Sequence, residues 1–389
     1  MQTSVAPKNK VDFLNVIRFI AFIIVFCLHA KNFAPQAWNQ TRFPWLTYTP
    51  AWAGVWIFFI LSGYGTGAGF FSGRYEIKDL RDIGKFWWGR FKKIAPMYYL
   101  YIGFVMLFVT PTLLVPNKEH LVLIGKLLFF IYDPRVDNYG LGIVWYLCTL
   151  IKLYFLAPVI WMFMKRILTT RRRTMLTMIL LVAGGLCLRL LARYIMQKTG
   201  AGAWHIDVYK PFYFNLDFFA VGFCISRLRG LERRQKGAGW KRWLSFISLI
   251  VLILYNNKIY YTASILQRHI ESQNLFENYW MIYQDLLPSL YCIIILCIIK
   301  FWDIDREYEY EKFSLKMVWH NPLRIFDKFP AVLMTCYLFH ANVLKALSGV
   351  IASQYVKTDA FTTHLIQMIA AFFVTLTGAL LISRLNHKN

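Results

Sequence analysis

Acidic residues are scarce in this chain. Twenty aspartates and glutamates face 44 lysines and arginines in 389 residues, and all charged types together make up 16% of it. With 58% hydrophobic and 18% aromatic residues, this is the composition of a polytopic membrane protein. Glycine-loop signatures are missing: no G-x-x-x-x-G-K-[ST] and no G-x-G-x-x-G occurs, which leaves an ATP-driven or nicotinamide-dependent enzyme without support. The seven cysteines, at 27, 148, 187, 224, 292, 297 and 336, all fall in apolar runs. They have neither metal-ligand nor disulfide-framework spacing and read as small buried apolar residues. The first apolar run has no small-residue cleavage site, so no cleavable signal is expected. No internal repeat is visible, unlike many transporters.

What the chain does have is long apolar runs. They predict spanning helices at about 11–30, 51–71, 94–115, 143–164, 174–196, 211–226, 243–257, 279–300, 330–348 and 363–383. The expected fold is all-α, a polytopic transmembrane bundle of about ten spans forming one membrane-embedded domain over 1–389, with no appended soluble domain. Residues 121–132 are apolar but too short to cross, and read as a re-entrant or interfacial helix. Most lysines and arginines outside the spans fall in the N-terminal segment and every second loop after it, which predicts N-in, C-in orientation. The net charge of +24 is then mostly topological. The bilayer is the expected partner, and nucleic acid is not.

The first span, VDFLNVIRFIAFIIVFCLHA, contains both an arginine and a histidine. Arg18 inside a spanning helix is expensive, and by default faces a protein interior or wet cavity and binds something anionic. His29 lies eleven residues on, about 16 Å along the axis and about 20° from the same face. Bland readings stand beside this one: the histidine as an interhelical hydrogen-bonding residue, the arginine snorkelling to headgroups.

Several later features carry chemistry. The second span ends in Gly63, Gly65, Gly67, Gly69 and Gly73, a spacing for tight packing first and close passage of a ligand second. The 31–50 loop, with Trp38 and Trp45, reads as an interfacial belt or a sugar-stacking platform. The segment from Lys85 to Lys93 gathers cations next to Trp87 and Trp88, offering charge and stacking surfaces to a phosphate-bearing nucleotide. Arg189 and Arg193, one turn apart, with Asp217, Asp285 and Lys345, read either as buried ion pairs or as a polar chamber. Lys152 and His340 fall nearer mid-span.

Five short motifs in order resemble the acyltransferase-3 family of membrane-bound acyltransferases. They are Arg18-Phe-Ile-Ala21 running to His29; VWIFFILSGY at 55–64; Arg90-Phe-Lys-Lys93; Trp145-Tyr-Leu with Tyr154 and Pro158; and Tyr337-Leu-Phe-His340. The chain departs from the family pattern at Asn15, where an acid is common; at Lys93, which replaces the second arginine of R-x-x-R and loses its bidentate fork; and at Leu150, where many members have glutamate.

The resemblance implies an O-acyltransferase in a plasma membrane of bacterial type. It would move acetyl, succinyl or another short acyl group from acyl-CoA, most simply acetyl-CoA, to a hydroxyl of a glycan or glycolipid, with no metal. His29 is the expected general base, and Arg18, Arg90 and Lys93 the donor-binding residues. Ser62, Trp145, Arg189, Arg193, Asp217, Asp285 and His340 are candidates on the acceptor side or behind the reacting groups. No serine or cysteine with a partner base is evident, and Ser62 and Cys27 keep an acyl-enzyme relay open beside direct transfer. A carrier or flippase for a glycolipid shares the composition and the intramembrane charges, and is distinguished by releasing no CoA.

Overall fold

The computed structural model describes residues 13–34, 43–200, 205–231, 239–266, 290–298, 329–354 and 359–386, with positions 202, 287 and 326. Among them there is no strand. The long helices are α1 (Phe13–Lys31), α2 (Ala51–Phe71), α3 (Leu80–Phe104), α4 (Lys118–Leu128), α5 (Trp145–Ile167), α6 (Arg171–Thr199), α7 (Leu216–Leu231), α8 (Gly239–Leu266), α9 (Phe329–Gln354) and α10 (Ala360–Asn386). Eight helical stretches among the described residues are long and apolar enough to cross a membrane.

Two expected spans are not among those eight. The run at 211–226 becomes a 3-10 turn at Phe212–Phe214 and then the 16-residue α7, about 24 Å of helix and short of a full crossing. The 279–300 run lies mostly outside the described residues. The third span also begins earlier than hydropathy suggests. Residues 80–93, which the expected span leaves out, are helical because Asp79 caps the Asp82 N–H and the chain continues as α3 from Leu80. Residues 121–132 fold as α4, whose 11 residues are too few to cross.

Contacts divide the chain into two compact units, Met1–Ile57 with Arg234–Ile270 and Ile293–Asn389, and Phe58–Arg233 with Glu271–Cys292. In the first, α1 packs on α9 and α10, which pack on each other. Phe19 meets Phe329 and Phe372 at 5.0 and 6.0 Å between ring centroids. Thr49 donates to the Ile24 carbonyl, and a Cβ at Gly54 would stand 2.4 Å from the Ala21 carbonyl oxygen.

In the second unit α6 packs on α7, and α5 on α3 and α7. Hydrocarbon gives helices no hydrophobic reason to associate, so close backbone approach decides where they meet. The meeting point of α2 and α7 is Gly63 against Gly222. A Cβ at Gly63 would lie 1.9 Å from the Phe219 carbonyl oxygen, and one at Gly222 would lie 2.3 Å from that of Ile60. Gly65, two residues on, faces open space.

Helix α6 has the polarity of a membrane helix. Arg189 and Arg193 are 4% and 5% exposed, while Leu191 and Ile195 are 54% and 50% exposed. Cys297 is half-buried and Cys187, on the same helix as these arginines, is exposed, against the expectation that every cysteine is buried. The place of Cys187 among outward-facing apolar residues explains why an apolar run did not predict burial.

Between α4 and α5 a charged network orders the connection. Asp133 accepts from Lys126 at 2.7 Å and from Arg135 Nη2 at 2.8 Å, and the Arg135 hydrogen bond holds its carboxyl well below the usual carboxylate range. Lys210 bonds Asp137 at 3.0 Å and also the Tyr132 hydroxyl. Burial pushes its ammonium group down, with Asp137 opposing.

Two outcomes are expected from thermal unfolding of purified protein. Gly63→Ala loses about 1–3 kcal/mol by overpacking, while Gly65→Ala is neutral or stabilising. A destabilised Gly65→Ala beside an unaffected Gly63→Ala would contradict the packing described. Because the carboxyl of Asp133 is depressed in the folded state, its contribution is complete above the ordinary aspartate value of about 3.9. It is lost as pH falls further. The gap between wild type and Asp133→Asn therefore narrows below about pH 4; a gap that widens there would contradict this.

Candidate functional site

Helix α1 is unbroken from Phe13 to Lys31, so Arg18 and His29 lie near one face as their spacing implies. Arg18 is half-buried and donates from Nη1 to Asn15 Oδ1 at 2.7 Å. The acceptor is a neutral amide, which orients the guanidinium without cancelling its charge. Asp12, one turn earlier, lies outside the described residues.

At the other end of the helix the half-buried His29 meets His340 of α9, with ring centroids 5.0 Å apart and an interplanar angle of 74°. His340 has no exposed surface, and the rings of Phe22 and Phe26 lie 5.7 and 6.0 Å from it. Its Nδ1 is 2.7 Å from the Tyr337 carbonyl oxygen. A carbonyl only accepts, so in this hydrogen bond Nδ1 carries the proton. Nε2 has no hydrogen-bond partner among the described residues, and the ring that carries it lies beside His29. Cys27 is buried and Ser62 half-buried; the Ser62 carbonyl accepts from Thr66 at 2.8 Å.

In the second unit a cavity of about 420 Å³ is lined by Arg74, Tyr75, Phe86, Arg90 and Lys93, with Glu76, Asp82 and Lys85. Arg90 and Lys93 share a wall because α3 is helical here and a spacing of three puts both on one face. Glu76 pairs with Lys78 at 2.8 Å and Asp82 with Lys85 at 2.9 Å. Arg90 instead donates to the Tyr75 hydroxyl at 2.7 Å.

The aromatic wall differs from expectation. Trp87 stacks on Phe155 at 4.1 Å and donates to its carbonyl, while Trp88 stacks on Phe91 at 5.6 Å. The rings lining the cavity are those of Tyr75 and Phe86. Sequence reasoning missed Tyr75. Its only signal was the Gly69 to Gly73 turn that precedes it.

Arg189 and Asp217 form a separate pair within this unit. Arg189 Nη1 donates to Asp217 Oδ2 at 2.9 Å and to the Phe214 carbonyl at 3.1 Å, with its guanidinium 4.8 Å from the Phe218 ring centroid. Gly185 makes the pair possible, because a Cβ there would stand 1.9 Å from Asp217 Oδ2. Arg193 is buried one turn further along, and Asp285 lies outside the described residues. Trp145 packs against Tyr209 at 4.7 Å, Lys152 lies 6.0 Å from the Phe212 ring, Leu150 is buried, and Lys345 is exposed on α9. Of the two readings of the intramembrane charges, the buried ion pair holds for Arg189 and Asp217.

Asp217→Asn is expected to lose on the order of 3 kcal/mol, because it leaves a buried cation uncompensated. Adding Arg189→Met should restore part of that stability. Strictly additive losses in this double-mutant cycle would mean that the two are not energetic partners.

Compared with known proteins, the chain matches one family model, described as an acyltransferase domain, over residues 11–384. No curated protein and no solved structure matches it.

Proposed function

Since the chain belongs to the acyltransferase-3 family and is a membrane acyltransferase, we propose that it moves acetyl or another short acyl group from acyl-CoA to a hydroxyl of a cell-surface or exported glycan or glycolipid. A multi-pass setting in a plasma membrane of bacterial type belongs to the same proposal. The observation that supports it best is the His29 and His340 contact at one end of α1, with the charged Arg18 on the same helix.

His29 is assigned as general base. It takes the proton of the acceptor hydroxyl as that oxygen forms a bond to the acyl carbon; the carbon–sulfur bond then breaks, and the CoA thiolate recovers the proton from the imidazolium. Arg18 is assigned to an anionic part of the donor, since the spacing to His29 is comparable to the reach of an extended pantetheine arm. Arg90 and Lys93 are assigned to donor phosphates on the strength of the cationic cavity they line. This route uses no protein nucleophile. A relay through Ser62 or Cys27 would instead leave labelled acyl-protein when acceptor is withheld.

Purified protein given acetyl-CoA and an exported polysaccharide fraction should release free CoA and acetylate the glycan, as read by thiol titration and mass spectrometry. His29→Ala and His29→Gln should each lower turnover by about 10²–10⁴-fold, with CoA binding nearly intact. Near wild-type turnover by the Gln variant would remove His29 from the chemistry. Glycolipid movement without thiol release would favour a carrier.

A further inference from the structure

Tyr75 is held where the chain turns. Helix α2 ends at Phe71, and Gly73 takes a φ of +76°, the left-handed conformation that ends many helices and that other residues adopt at a cost. The chain then doubles back, so that the Tyr75 N–H donates to the Gly69 carbonyl at 3.1 Å. The phenol ring rests on Gly69 itself, where a Cβ would stand 2.2 Å from Tyr75 Cε2. Phe70 and Phe86 flank it at 5.5 and 5.3 Å between ring centroids.

From that seat Tyr75 meets Arg90 in two ways. Its hydroxyl accepts from Nη2 at 2.7 Å, and its ring centroid lies 5.1 Å from the guanidinium carbon. Phe86 and Tyr154 stand 5.2 and 4.9 Å from the same carbon. Aromatic faces attract the cation and orient its plane, and a phenol acceptor spends one of five N–H donors without cancelling the charge. The two carboxylates at this cavity are paired with lysines.

We propose that Tyr75 is the positioning residue of a phosphate site in this cavity, fixing the Arg90 guanidinium so that its remaining donors grip a phosphate of the donor nucleotide. The proposal rests on the acyl-CoA reading of the function. Gly69 is part of the device, because only a residue without a side chain leaves room for the ring.

The test is CoA binding to the purified full-length protein by calorimetry, with unfolding midpoints measured in parallel. Tyr75→Phe keeps the ring and removes the acceptor, and is expected to weaken CoA about 5–10-fold at an unchanged midpoint. Arg90→Gln should weaken it more, and on that background Tyr75→Phe should cost nothing further. Gly69→Ala should match the loss of Tyr75→Phe; if it does not fold, the Tyr75 and Arg90 cycle decides alone. Unchanged affinity in Arg90→Gln would sink the donor reading of the cavity. Weakened Arg90→Gln with unaffected Tyr75→Phe, or additive losses in the cycle, would overturn the role of Tyr75 and leave the donor reading standing.

Discussion

A guanidinium among apolar helices brings five N–H donors and a full charge, and the surrounding helices must supply acceptors for both. Three arginines here meet that demand differently. Arg189 has a carboxylate, Asp217 at 2.9 Å, which gives it an acceptor and an opposite charge together and makes the pair a brace between α6 and α7. Arg18 has the amide oxygen of Asn15 and Arg90 the phenol of Tyr75. Those acceptors orient the group and leave its charge in place. Among the described residues, the choice of acceptor therefore separates an arginine paired with a carboxylate from two held by neutral acceptors.

The same sorting applies to the histidines. His340 has lost all contact with solvent and commits Nδ1 to its own helix, and its Nε2 has no hydrogen-bond partner among the described residues. His29 keeps some exposure and meets that ring edge to face. One imidazole is thus locked and the other is reachable, a division of roles that suits a base backed by a rigid neighbour.

Much of this was legible in the sequence because hydrocarbon tolerates so few arrangements. Eight of the expected spans appear as long apolar helices, and the motif residues of α1 keep their predicted face. Hydropathy failed at α3, where the first four turns are rich in basic residues and only partly buried and the Asp79 cap announces the helix. It failed again at Cys187, because an apolar run does not say which side faces outward. The His29 and His340 contact joins distant parts of the chain, and no local pattern encodes it, although both residues sat in recognisable motifs. Tyr75 was hidden for another reason: its role depends on the empty space at Gly69, and missing atoms leave no motif.

Helix α6 also bears on how the chain enters its membrane. Inserted alone, it would carry Arg189 and Arg193 into hydrocarbon at no more than about 2.5–3.5 kcal/mol each, the translocon cost at a helix centre, offset by its run of leucines and isoleucines. The compensating carboxylate arrives only with the first turn of α7. The salt bridge therefore forms only when both helices are in place, and until then the apolar residues of α6 alone offset the cost of burying Arg189.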